Sequence, residues 1–221
     1  MDDSTVGTTV FGVETETVVA FDVDKTLTTK DCVLPFMSLV AGRLFLVSVV
    51  LRNPRQLASL LRHRDRDGLK RLFVRAVFMG RDASEIDELG KQFATIVLKK
   101  WIRADVAQRL RWHQKNGHTV LLVSASLDAY LVPLANTIGA ETVLCTTLET
   151  DENGVLTGNL VGNNCRAQQK VDRLEKWAKN RGTAGDNWLS IAYGDSRGDL
   201  EMLSYAKIGH NVSRQILEPA C

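Results

Sequence analysis

A chain of 221 residues is long enough for one sizeable core with a smaller unit inserted or appended. Apolar residues at 44% and charged residues at 24% lie near the soluble average, which argues against a disordered or fibrous chain. A net charge of +2 without any aromatic-and-basic motif argues against a nucleic-acid partner.

The first fifteen residues are acidic and polar and lack the basic-then-apolar order of an export signal, so residues 1–16 are expected to form a loose arm. Cys32, Cys145, Cys165 and Cys221 make no CxxC pair and have no histidine at zinc-finger spacing. They read as reduced thiols of a cytoplasmic chain. The run Val18-Val19-Ala20-Phe21 reads as a buried strand that ends abruptly in Asp22 and Asp24. In extended backbone, side chains two apart share a face, so the two carboxylates are brought together. They repel each other unless a cation, a proton or solvent compensates.

Residues 31–116 contain no convincing strand and at least four helical patterns, and read as a helical cap inserted into a core made of residues 17–30 and 117–221. Val33 to Leu51 carries a single charge, Arg43. Its length is within range of a membrane span, but Pro35, Gly42 and the central arginine favour a buried or interfacial helical hairpin. Residues 52–75 hold eight basic residues against Asp65 and Asp67, a local charge of +6, with leucines at helical spacing. Such runs are usually solvated helix faces, but beside an apolar helix this one also fits peripheral contact with anionic lipid. Asp82 and Glu85, in capping-box order, open a helix with an apolar stripe of Ile86, Leu89, Phe93, Ile96 and Val97. Another runs from Ala104 to Asn116 and stops at Gly117.

From His118 strands and helices alternate, the pattern of a parallel sheet with crossovers. Thr119 to Val123 is a strand closing in Ser124-Ala125-Ser126, followed by a helix from Asp128 to Gly139 and a strand over Thr142 to Thr146. Glu149 to Leu160 reads as a hairpin turning at Asn153-Gly154. Ala167 to Lys179 is a helix, Leu189 to Tyr193 a strand that runs into Gly194-Asp195, residues 199–206 a helix, and Lys207 to Val212 a last strand. Three strands thus end in polar residues, and in an open parallel sheet such ends converge on one crevice. Asp22, Asp24, Asp195 and Asp199 would gather there with Ser124. That many carboxylate oxygens suit a hard cation such as Mg2+, and a nucleophilic carboxylate beside it suits phosphoryl transfer.

The order DxDxT at Asp22, a strand closing in Ser124, Lys170, then Asp195 with Asp199 four residues on, resembles the haloacid dehalogenase superfamily, over Thr17 to about Val212. The helical insertion is similar to the cap of the branch containing phosphoserine phosphatase. The resemblance implies an α/β doubly wound, Rossmann-like parallel sheet and a Mg2+-dependent phosphomonoesterase. It makes Asp22 the nucleophile that forms an aspartyl-phosphate and Asp24 the general acid, later the base. It gives Mg2+ to the carboxylates of Asp22 and Asp195 and the main-chain carbonyl of Asp24, with Asp199 orienting the shell. Thr26, Ser124, Ala125 and Lys170 would contact the phosphate.

The resemblance is looser at the substrate. Asp31 stands where phosphoserine phosphatases carry a cap glutamate, Arg75 is the counterpart of their cap arginine, Ala125 and Ser126 replace two glycines, and Gly198 replaces an asparagine. The expected substrate is therefore a small or lipid-borne phosphate, phosphoserine included. A phosphotransferase and a membrane-surface binding module on an inactive core are the alternatives.

Overall fold

The computed structural model describes residues 16–183, 185, 187–213 and 217. The expected arm lies outside them except for Glu16, which accepts hydrogen bonds from Thr119 Oγ1 and from Arg181, so residue 16 is anchored at the sheet. Cys221 also lies outside; Cys32, Cys145 and Cys165 are buried free thiols.

Five parallel strands form one sheet: β1 (Val18–Phe21), β2 (Thr119–Leu127), β3 (Thr142–Thr146), β6 (Leu189–Gly194) and β7 (Ile208–Asn211), in the order β3-β2-β1-β6-β7. A separate antiparallel pair, β4 (Leu148–Thr150) and β5 (Leu156–Leu160), is the hairpin expected from Asn153-Gly154. The central strand β1 is buried along its whole length. Its period of two sends Val19 and Phe21 into one apolar cluster and Val18 and Ala20 into another on the opposite face of the sheet.

Between β1 and β2 run α1 (Val33–Ala41), α2 (Arg43–Arg52), α3 (Pro54–Arg62), α4 (Arg66–Phe78), α5 (Ala83–Lys100) and α6 (Ala104–Lys115); α7 (Asp128–Ile138), α8 (Gln168–Arg181) and α9 (Leu200–Tyr205) connect the later strands. The apolar stretch 33–51 is two helices bent by 101° at Gly42, whose φ of 84° lies in the region that favours glycine. No single helix among the described residues is long and apolar enough to cross a membrane. The basic run likewise breaks into α3 and α4, where Asp65 caps α4 by accepting from the Gly68 amide at 2.7 Å.

Packing divides the helical segment differently from its sequence pattern. Phe36 of α1, Phe78 of α4 and Phe93 of α5 meet Tyr130 of α7 in one aromatic cluster. A Cβ on Gly90 of α5 would fall 2.0 Å from the Ala129 carbonyl oxygen, so that glycine sets how closely α5 lies on α7. The α6 helix carries His113 against Phe21 and Tyr193 of the sheet, so it belongs with the sheet layer and not with a cap ending at residue 116.

Candidate active site

The chain leaves β1 through a tight turn over Val23–Leu27, closed by the Thr28 amide on the Val23 carbonyl at 2.9 Å. Asp22 still belongs to the sheet, its amide donating to the Tyr193 carbonyl at 2.9 Å, while Asp24 stands on the turn. Both carboxylates line a cavity of about 390 Å³ at the carboxyl ends of the strands, together with Asp31, Ser124, Ala125, Lys170, Asp195 and Asp199. The sequence-predicted convergence of strand ends is therefore present.

Lys170, one turn into α8, is 1% exposed. Its ammonium donates to Asp22 Oδ1 at 2.6 Å, to Asp199 Oδ1 at 2.5 Å and to the Val123 carbonyl at 2.7 Å. Burial alone would favour the neutral amine, but the two carboxylates outweigh it and hold Lys170 charged above its usual range. Burial pushes Asp22 up to about 7, with Lys170 opposing and Asp199 and Asp24 adding repulsion. Asp199 stays below its ordinary value: burial would raise it, but Lys170 and the Ser196 donors prevail.

Asp24 is held separately. Its Oδ1 accepts from the Cys32 amide at 2.9 Å and its Oδ2 from the Ser126 hydroxyl at 2.8 Å. Burial, followed by the nearby charge of Asp31, pushes it up to about 6 against those two donors. Burial raises the proton affinity of both carboxylates, and their contacts distinguish them: Asp22 faces the Lys170 ammonium, while Asp24 is held by an amide and a hydroxyl. This suits a nucleophile beside a general acid.

Asp22, Asp195 and Asp199 each offer an oxygen within 4.8 Å of the others. An all-oxygen donor set with mutual repulsion fits a hard divalent cation such as Mg2+.

Two predicted phosphate or substrate residues fall elsewhere. Thr26 is buried, does not line the cavity, and donates its hydroxyl to Asp195 Oδ1 at 3.4 Å, so it positions a carboxylate. Arg75 is exposed on the face of α4 that lies against Gly158 of β5, away from the cavity. The basic residue that α4 sends inward is Lys70, which donates to the Ala125 carbonyl and to Asn164 Oδ1 at 2.8 Å. Asn164 also donates to Asp67 at 2.7 Å and accepts from Thr146 at 2.8 Å, tying α4 to the β3 end. Burial brings Lys70 down to about 8 even though Asp24 favours its charge. Arg66 and Arg166 line the cavity as well. Sequence reasoning gave Asn164, Ser126 and Arg166 no role and placed Lys70 and Arg66 only in the basic run expected to be solvated or lipid-facing. The one available signal was the helical register of α4, where Lys70 lies three, four and seven residues before the apolar Phe73, Val74 and Val77, while Arg71 and Arg75, four apart, are both exposed.

A family model described as haloacid dehalogenase-like hydrolase matches residues 19–204. Protein CicA of Caulobacter vibrioides is 35% identical over 189 residues, covering 86% of this chain and 82% of that protein. A probable phosphatase of Mycobacterium tuberculosis is 27% identical over 198 residues, 88% of this chain and 67% of its own length. The solved structure of a phospho-aspartyl intermediate analogue of phosphoserine phosphatase superposes with a TM-score of 0.59 at 19% identity, covering 87% of this chain and 84% of that one; at that identity the likeness is one of fold.

Proposed function

The chain belongs to the haloacid dehalogenase-like hydrolase family as a phosphatase, and on that footing we propose that it hydrolyses phosphomonoesters through an aspartyl-phosphate on Asp22, with Mg2+ bound. The observation that carries this reading is the gathering of Asp22, Asp195, Asp199 and Lys170 in one cavity, with Asp24 held apart by the Cys32 amide and the Ser126 hydroxyl.

In this reading the Asp22 carboxylate attacks phosphorus, and the leaving alkoxide takes the proton of Asp24. Asp24 then accepts a proton from the water that opens the acyl phosphate. The Ser124 hydroxyl and the Ala125 backbone face the phosphoryl oxygens, and Lys170 offsets the charge collected on Asp22. The ion, held by Asp22, Asp195 and Asp199, would neutralise phosphoryl charge.

The cavity walls support one substrate class. Val33, Leu34, Met37, Leu69 and Phe73 line one side, and Leu34 and Phe73 also border an apolar groove along α1 and α2. This supports an alcohol with an apolar portion, such as a lipid-borne phosphate, over phosphoserine, whose expected clamp Arg75 lies elsewhere. A peripheral membrane contact accords with Leu44 and Leu51, 86% and 73% exposed on α2 beside Arg43 and Arg52.

Phosphate release from amino-acid, sugar, nucleotide and lipid monophosphates, with Mg2+ and after chelation, tests the reading. Metal-dependent release that is fastest on an alkyl or lipid phosphate is expected. Metal-independent release, or none from any ester, would overturn it.

A further inference from the structure

Beside the catalytic cavity lies a second hollow of about 600 Å³, lined by Arg64, Arg66, Arg166 and Arg197 over a floor of Leu60, Leu61 and Leu69. The arginines come from three places in the fold: the α3–α4 turn and the start of α4, the loop before α8, and the loop after β6. A solvated helix face does not account for such convergence. The single acid in the hollow, Asp65, is engaged in capping α4. Among the described residues none of the four guanidiniums takes part in an ion pair. Four like charges bordering one hollow, three of them on exposed residues, favour an anion there.

The hollow adjoins the reaction site, with Arg66, Leu69 and Arg166 bordering both. A local departure in sequence makes room for this. A Cβ at Gly198 would lie 3.0 Å from Arg166 Cγ and 3.1 Å from its Nε, so the glycine before Asp199 leaves the space that the arginine side chain occupies.

We propose that this arginine hollow binds a second anionic group on the same substrate molecule, a phosphate, phosphodiester or carboxylate, while the phosphoryl group to be cleaved sits over Asp22. The proposal rests on the phosphatase reading for the role of the first site, and goes beyond it in naming what the alcohol carries.

The probes are straight-chain diol bisphosphates of increasing length and the matching diol monophosphates, which differ only in the second anion. Wild-type kcat/KM should favour the bisphosphate by about tenfold at the best length, the scale of charge-assisted contacts at a partly exposed site, against a statistical factor of about two for its two equivalent ends. Added salt should shrink the preference. In Arg64→Gln/Arg197→Gln, two surface changes that leave the core untouched, the preference should collapse to about the statistical factor. A wild-type preference at that factor for every length, or an undiminished preference in the double variant, would overturn the proposal. Calorimetric binding of the same pairs to Asp22→Asn protein separates the two readings. If neither ester is hydrolysed but the bisphosphate still binds about tenfold tighter in an arginine-dependent way, the phosphatase reading fails and the subsite stands. Equal binding of the two probes sinks the subsite whatever the turnover.

Discussion

Replacing Lys170 by Met keeps most of the apolar stem and removes the charge that joins Asp22 to Asp199. The ammonium is buried and makes three contacts of 2.5 to 2.7 Å, so its loss leaves two carboxylates and a carbonyl facing one another without a donor. Breaking a buried ion pair by removing one partner costs about 3–5 kcal/mol. With a urea m-value of about 2 kcal/mol/M, the metal-free midpoint should fall by about 1.5–2.5 M at unchanged m. The pH dependence has a definite sign. Asp22 is at about 7 in the folded chain against 3.8 ordinarily, so the stability its proton confers is complete below 3.8, is lost as pH rises from there, and is gone above about 7. Without Lys170 the native carboxyl moves further up, so the variant should suffer most near pH 8 and recover toward pH 5. The assay is urea unfolding followed by circular dichroism in the presence of chelator. A midpoint shift below about 0.5 M, or one independent of pH, would refute the reasoning.

Asp22→Asn should remove turnover, because an amide is a poor nucleophile, while thermal unfolding in chelator shows little loss of stability, since Lys170 keeps Asp199 as its ion-pair partner and the amide oxygen can still accept its hydrogen bond. For Asp24, which stands at about 6, turnover of alkyl phosphates should decline as pH rises through that value, and Asp24→Asn should harm alkyl esters more than aryl esters with good leaving groups; a pH-rate profile on both substrates checks it. Gly90→Ala forces a methyl to 2.0 Å from the Ala129 carbonyl oxygen and should cost ~2 kcal/mol or more in chemical denaturation. Vesicles containing anionic lipid should float the protein at low salt and release it at high salt, and Leu44→Asp/Leu51→Asp should abolish flotation.

The residues that were legible in the sequence are those whose position is dictated by backbone periodicity. A four-residue apolar run followed by Asp-x-Asp fixes a buried strand and the face on which its acids emerge, and the polar ends of β2 and β6 follow from the same rule. Long side chains on helices are different, because their reach is decided by tertiary packing. Arg75 and Lys70 are both basic residues of α4, five apart, yet only Lys70 lies under the α1 wall and reaches Ala125 and Asn164. The break at Gly42 was legible in kind, since Pro35, Gly42 and Arg43 argued for a hairpin over a span, while the 101° angle is set by packing. The hydroxyl of Thr26 meets Asp195, a partner just past the end of a distant strand that no local pattern announces.

The central claim is that Asp22 carries the phosphoryl group during turnover. Acid quenching of the Mg2+-loaded enzyme during steady-state hydrolysis, followed by peptide mapping, reads this directly. Phosphate is expected on the peptide containing Asp22, absent from Asp22→Asn protein and discharged when the substrate is exhausted. Wild-type turnover by Asp22→Asn, or a phosphoryl group trapped on any other residue, would contradict the account.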